Sequence, residues 1–180
     1  MNLRGRTIGI LIATGFDDSQ IVKVAEVLRS REAKVVIIGT GDTGAVAVAG
    51  RQGSLLRPDV VLAEVSASSL DAIIVTGGES VIRIRPDERA MTLLLEMASQ
   101  GKPIGAICNA TAVLAAAGLV SGRRVTGDML VKRDLAQAGG CYLEQGVVVD
   151  HNLVTSRTTE NITHFLDAIS FLLEPAPSLR

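Results

Sequence analysis

Four short runs of nearly unbroken apolar, β-branched residues recur along the chain: RTIGILIA, AKVVIIG, DAIIVTGG and KPIGAIC, each bounded by glycine or charge. Apolar runs of this length without alternation predict strands buried on both faces. Between them the period changes to that of a helix. Residues 19–31 place Ile21, Val22, Ala25, Val27 and Leu28 on an apolar stripe, and residues 87–100 do the same with Met91, Leu94, Leu95 and Met97. Strand–helix alternation predicts an α/β fold: a mostly parallel, doubly wound sheet with helices on both faces, joined by right-handed crossovers. Two regions break this rhythm. Residues 45–62 alternate as AVAVAG and then turn at GRQGS, while residues 141–156 hold two β-rich runs around Asp150, His151 and Asn152. Both are expected to be antiparallel excursions from the main sheet. Residues 124–126 then bring the chain back, a helix near 129–138 stops at Gly139, and a last helix spans about 159–173, before a ProAlaProSer tail expected to fray. No repeat, linker or low-complexity block interrupts residues 1–180, so one domain is expected.

Composition narrows the partners. With 180 residues, 47% of them hydrophobic, the chain can build a core without disulfides or metal. A net charge of -1 with scattered Lys and Arg offers no basic stripe, which argues against nucleic acid and an anionic membrane as partners. One Tyr, three Phe and no Trp leave little for stacking bases or sugars, so small-molecule substrates remain. The apolar start, MNLRGRTIGILIATG, fits a first strand better than an export signal, and the uncharged stretch 103–122 fits a buried strand and helix better than a membrane span. Without an export signal, the two cysteines, Cys108 and Cys141, are expected as reduced thiols in a cytoplasm.

Gly39, Gly41 and Gly44 complete a GxGxxG, but the residues that follow alternate like a strand instead of opening a helix, so no nucleotide cofactor is expected. The segment AICNATAVLAAAGL carries more chemistry. It puts Cys108 at the carboxyl end of a central strand, where open α/β sheets hold their ligand crevices, with a helix starting immediately afterwards. A thiol at such a strand-to-helix bend faces unpaired helix amides, which favour the thiolate. The competing account is a small buried hydrophobe. A nucleophile also needs oxyanion donors and a proton partner. Gly77, Gly78 and Asn109 can supply backbone amides, and Asp17, at the end of the first strand, is the acid expected to face Cys108. Asp18 or Ser19 is then left to cap the following helix, although capping is also open to Asp17. His151, in a turn, and His164, beside Phe165, read as structural or solvent-exposed, and the absence of HExxH and CxxC predicts no metal.

Taken together, ILIATGFDDSQI, DAIIVTGG, GKPIGAICNATAVLAAAGLVSGRRVTG and VVVDHNLVTSRT resemble the ThiJ/PfpI family over nearly the whole chain. This resemblance implies a three-layer flavodoxin-like, glutamine-amidotransferase-like scaffold with a nucleophile elbow, and a homodimer or higher homo-oligomer. It also implies that Cys108 is the nucleophile, that Asp17 is the acid hydrogen-bonded to it, and that Gly78 and Asn109 provide the oxyanion amides. The departures are informative. Asn109 stands where protease-like members carry His, and an amide cannot act as a general base. Ile82 falls where those members lend an acid across a subunit interface, Asp128 replaces a frequent aromatic, and Asp17 replaces the usual Glu. The resemblance therefore implies a cysteine-dependent enzyme acting on a small electrophilic carbonyl, acyl or nitrile-like compound, with peptidase activity disfavoured. The alternative is a non-catalytic protein that reports oxidative stress, or acts as a chaperone, through oxidation of Cys108.

Overall fold

In the computed structural model, which describes residues 1–40 and 46–174, the four apolar runs lie side by side. The first forms β1 (Thr7–Ile12), followed by α1 (Asp18–Ser30) and β2 (Lys34–Gly39). A hairpin of β3 (Val48–Ala49) and β4 (Leu55–Leu56) precedes β5 (Val60–Val61) and β6 (Ala72–Val75). Then come α2 (Ser80–Ile84), α3 (Glu88–Ser99), β7 (Ile104–Ile107) and α4 (Thr111–Ala116). The chain closes through β8 (Arg124–Val125), α5 (Lys132–Gln137), β9 (Cys141–Tyr142), β10 (Val147–Asp150), β11 (Leu153–Ser156) and α6 (Ile162–Leu173). Gly41 and Gly44 of the glycine motif, and the ProAlaProSer tail, lie outside the described residues.

Seven strands form the main sheet in the order β10-β11-β7-β6-β1-β2-β5, all parallel except β10, which runs antiparallel to β11. From β1 the chain steps outward to β2 on one side and to β6 and β7 on the other. The carboxyl ends of β1 and β6 are thus a topological switch point, where such sheets open a crevice. Region 45–62 does contain an antiparallel hairpin, β3 with β4, but its last strand, β5, joins the main sheet in parallel. Region 141–156 differs from the expected excursion: β10 and β11 pair with each other as a hairpin, yet β11 also pairs with β7 and belongs to the main sheet. The four residues of β11 are all buried, as befits an inner strand.

Strand side chains alternate between two apolar layers. Ile8, Ile10 and Ile12 of β1, with Ile74 of β6, pack among Ile21, Val24 and Leu28 of α1 and Phe165, Leu166 and Ile169 of α6. Leu11, Ile73 and Val75 join the other layer, with Leu93, Leu94 and Met97 of α3 and Val113 and Leu114 of α4. Gly105 is the close-approach point beneath the site. A Cβ added there would lie 2.5 Å from Phe165 Cζ and 2.7 Å from Ile169 Cδ1, so only glycine lets α6 sit directly on β7. No described helix is long and apolar enough to cross a membrane.

Candidate active site

The ends of β1, β6 and β7 converge on a cavity of about 290 Å³ lined by Asp17, Gln20, Arg51, Gly78, Cys108, Asn109, Asp128, Leu130 and Thr159. The cavity brings together all four residues singled out from sequence, Cys108, Asp17, Gly78 and Asn109. It also adds Arg51, Gln20, Leu130 and Thr159, which were not, and Asp128, which the resemblance had marked only as a replaced aromatic.

Cys108 stands at a sharp bend. Strand β7 ends at Ile107, Cys108 has φ +60°, and a single 3-10 turn (Cys108–Ala110) leads into α4. A left-handed conformation at a non-glycine residue costs about 1–2 kcal/mol and is maintained only by its surroundings. Two of those surroundings are visible. Thr111 Oγ1 and the Asp128 backbone N–H donate to Cys108 O at 3.1 and 3.3 Å, tying the bend to the loop after β8. Gly127 is required beside it, because a Cβ there would run into Thr111 Oγ1.

The carboxylate that meets the sulfur is Asp128. Cys108 Sγ donates to Asp128 Oδ2 at 3.6 Å, while Asp128 Oδ1 accepts from Leu130 N–H at 2.8 Å, capping the 3-10 turn Met129–Val131. Asp17, expected from sequence to make that hydrogen bond, is instead the N-cap of α1. Its Oδ1 accepts from Gln20 N–H at 3.1 Å and from Ser19 Oγ at 2.7 Å, and its Oδ2 lies 3.6 Å from a guanidinium nitrogen of Arg51. The geometry of a helix start explains this: a carboxylate one residue before the first turn satisfies the open amides of that turn. Asp18, expected to cap, turns outward and clasps the β3–β4 hairpin, accepting from Gln52 N–H at 2.7 Å, Ser54 N–H at 3.0 Å and the Ser54 hydroxyl. These bonds hold the Asp18 carboxyl below its usual range against the effect of burial.

The expected thiolate is also not what the surroundings favour. Burial raises the Cys108 thiol to about 11, and the charges of Asp128 and Asp17 add to the rise, opposed by the Asn109 backbone N–H. The helix behind the sulfur has only six residues. These surroundings favour the thiol over the thiolate, with Sγ hydrogen-bonded to the Asp128 carboxyl.

The glycine loop after β6 is closed from both sides. Gly77 N–H donates to Gln20 Oε1 at 2.8 Å, and Gln20 Nε2 reaches Thr159 Oγ1 at 3.1 Å. Gly78 N–H, assigned from sequence to an oxyanion, donates to Asn109 Oδ1 at 3.0 Å, and Asn109 Nδ2 returns a bond to Gly78 O at 3.0 Å. The asparagine that replaces histidine thus latches the loop with its side chain. Gly78 has φ +105°, and a Cβ on it would lie 2.5 Å from Gly15 O, so the two loops touch through backbone.

No histidine is among the described residues lining this cavity. His151 lies at the opposite end of the sheet, in the β10–β11 turn, with φ +51°, and His164 is exposed on α6. Cys108 and Cys141 are both free thiols, Cys141 exposed on β9. No group of three or more metal-ligating side chains occurs among the described residues.

The DJ-1/PfpI family model matches residues 6–171. A deglycase of Pyrococcus abyssi is 32% identical over 148 residues, covering 82% of this chain and 87% of that protein. The deglycase PfpI of Pyrococcus furiosus is 31% identical over 147 residues, with the same coverage of 82% and 87%. Among solved structures, Drosophila melanogaster DJ-1beta superposes with a TM-score of 0.86 at 29% identity, covering 96% of this chain and 91% of that one. A two-domain protein of Anabaena variabilis, containing DJ-1/ThiJ/PfpI-like and ferritin-like domains, superposes with a TM-score of 0.89 at 28% identity. The match takes in 97% of this chain and 50% of that longer one.

Proposed function

The chain belongs to the DJ-1/PfpI family, and on that premise we propose that it acts through Cys108 on a small electrophilic carbonyl, acyl or nitrile-like compound. The observation that carries the reading is the Cys108–Asp128 hydrogen bond inside a small polar cavity. Burial pushes the thiol up to about 11, which leaves the thiolate scarce at neutral pH. Attack therefore requires proton transfer as the bond forms, and Asp128 Oδ2 is the acceptor in contact with the sulfur. On a carbonyl substrate the sulfur bonds to carbon, the C=O π pair moves to oxygen, and the proton passes from Sγ to Asp128 and on to that oxygen. The product is a hemithioacetal, with no change of oxidation state. Asp17 contributes its charge, which adds to the rise of the thiol and lies 3.6 Å from Arg51.

The developing oxyanion meets the Asn109 backbone N–H, which already points at the sulfur. Gly78 N–H joins it once the Asn109 side chain gives up its bond. The relatives named deglycases support carbonyl chemistry, since removing a glycation adduct is chemistry at a carbonyl-derived carbon. The oxidation-sensor alternative needs a thiolate at neutral pH, and burial with two nearby carboxylates works against one. Peroxide titration with mass spectrometry separates the readings: oxidation of exposed Cys141 as fast as Cys108 removes the sensor. For the enzyme, methylglyoxal, acyl esters and isocyanides are offered to the protein and to Cys108→Ser. Turnover that survives the substitution, or no turnover of any, defeats the proposal. A homodimer belongs to the same reading, and light scattering that shows only monomer at low concentration removes it.

A further inference from the structure

Arg51 is the sole cationic side chain among the described residues lining the Cys108 cavity, and nothing in the sequence pattern marked it. It reaches the cavity because the β3–β4 hairpin is fastened there. Arg51 N–H donates to Phe16 O at 2.9 Å, and Asp18 holds the next turn through Gln52 and Ser54. The guanidinium itself is held loosely. It lies 3.6 Å from Asp17 Oδ2, outside hydrogen-bonding distance, and is half exposed. Asp17 takes the bonds from Ser19 and Gln20 on Oδ1, which leaves Oδ2 facing the guanidinium. A planar fork of N–H donors with an ion partner, but with no side-chain hydrogen bond to another described residue, is suited to bind a carboxylate bidentately.

We propose that the substrate carries a carboxylate beside its electrophilic carbon, as in a small 2-oxo acid, and that Arg51 binds that carboxylate while Cys108 adds to the carbonyl. The proposal rests on Cys108 being the reacting group. The cavity's size and its lack of aromatic lining favour a compact polar compound over a long acyl or aromatic one. Its charges sharpen the requirement. Among the described lining residues Asp17 and Asp128 outnumber Arg51, so an anion is favoured only in direct contact with the guanidinium, and a dianion is disfavoured.

The test compares iodoacetate with its neutral isostere iodoacetamide at about pH 9, where thiol alkylation is measurable. Modification is read separately at Cys108 and at exposed Cys141 by peptide mass spectrometry, so that Cys141 corrects for the intrinsic difference between reagents. The corrected iodoacetate-to-iodoacetamide rate ratio at Cys108 is expected to fall about tenfold in Arg51→Leu, with Arg51→Lys between the two. A ratio in Arg51→Leu within twofold of wild type overturns the proposal. A second arm measures hemithioacetal formation at Cys108 with glyoxylate and with neutral glyoxal by native mass spectrometry, and the same variant is expected to lower the glyoxylate-to-glyoxal adduct ratio about tenfold. If neither compound forms an adduct, the reading of Cys108 as the group that adds to carbonyls fails, while the alkylation ratio still decides the role of Arg51.

Discussion

The two ends of the sheet treat a carboxylate in opposite ways. At the amino ends of the parallel strands, Asp150 is buried and saturated: it accepts from Arg123 Nε at 3.1 Å, Arg124 N–H at 2.8 Å and His151 Nδ1 at 2.6 Å. The Arg124 amide, His151 and Arg123 together hold its carboxyl well below the usual range, despite burial. At the carboxyl ends, Asp128 accepts one backbone amide and one thiol and faces the cavity with Asp17 nearby, and the thiol is driven up instead. His151 and Asp150 look like a catalytic dyad when drawn alone. In context Asp150 is occupied by arginines and its histidine side chain is 86% exposed, so the pair fastens a turn. Complete pairing marks a structural site, whereas a thiol pushed up beside a carboxylate that faces a cavity marks a candidate chemical one.

Substitutions can break that contrast, beginning with the largest effect. Cys108→Ser is expected to lower kcat/KM by about a thousandfold or more while moving the urea midpoint little, as followed by steady-state assays and denaturant melts. Asp128→Asn is expected to cost about a hundredfold in turnover. In the same variant the iodoacetamide alkylation profile of Cys108 should move to lower pH, because a carboxylate that raised the thiol is gone. A profile that stays in place would detach Asp128 from the sulfur. Asp150→Ala should do the reverse, destabilising by about 2 kcal/mol and leaving turnover nearly intact. The Asp150 contribution has a defined sign with pH. A depressed carboxyl stabilises fully above its unfolded value near 3.9 and loses this as pH falls toward its folded value, so the gap between wild type and Asp150→Ala should narrow below about pH 4. The smallest effect is expected from Cys108→Gly, which removes a left-handed side chain: stability level or higher, within about 1 kcal/mol, in the same urea melts.

Much of the architecture was legible because β1, β2, β6 and β7 are buried on both faces and therefore read as continuous apolar runs. The placement of Cys108 followed from the same signal, since the end of β7 and the start of α4 are local features. What could not be read were contacts made across distance. Asp17 and Asp18 are adjacent, and sequence offers no means of deciding which caps α1 and which clasps a hairpin more than thirty residues away. Asp128 reaches the sulfur with Gly127 letting the loop after β8 lie on Thr111, and the resemblance had marked residue 128 only as a replaced aromatic, with no contact assigned to it. The expectation of a thiolate rested on the helix behind the sulfur; a facing carboxylate, Asp17, was expected too, but neither the burial of the sulfur nor the contact with Asp128 shows in the pattern. Region 141–156 was read as peripheral because AspHisAsn signals a turn, and a turn does not reveal which strand its second arm will join.

The absent side chain at Gly105 ties the strand that ends in Cys108 to the last helix. With the Phe165 ring seated against it, that strand is anchored some sixty residues further along the chain. A larger residue at 105 would press on the ring, so a change on the far side of the molecule is expected to reach the bend through packing alone.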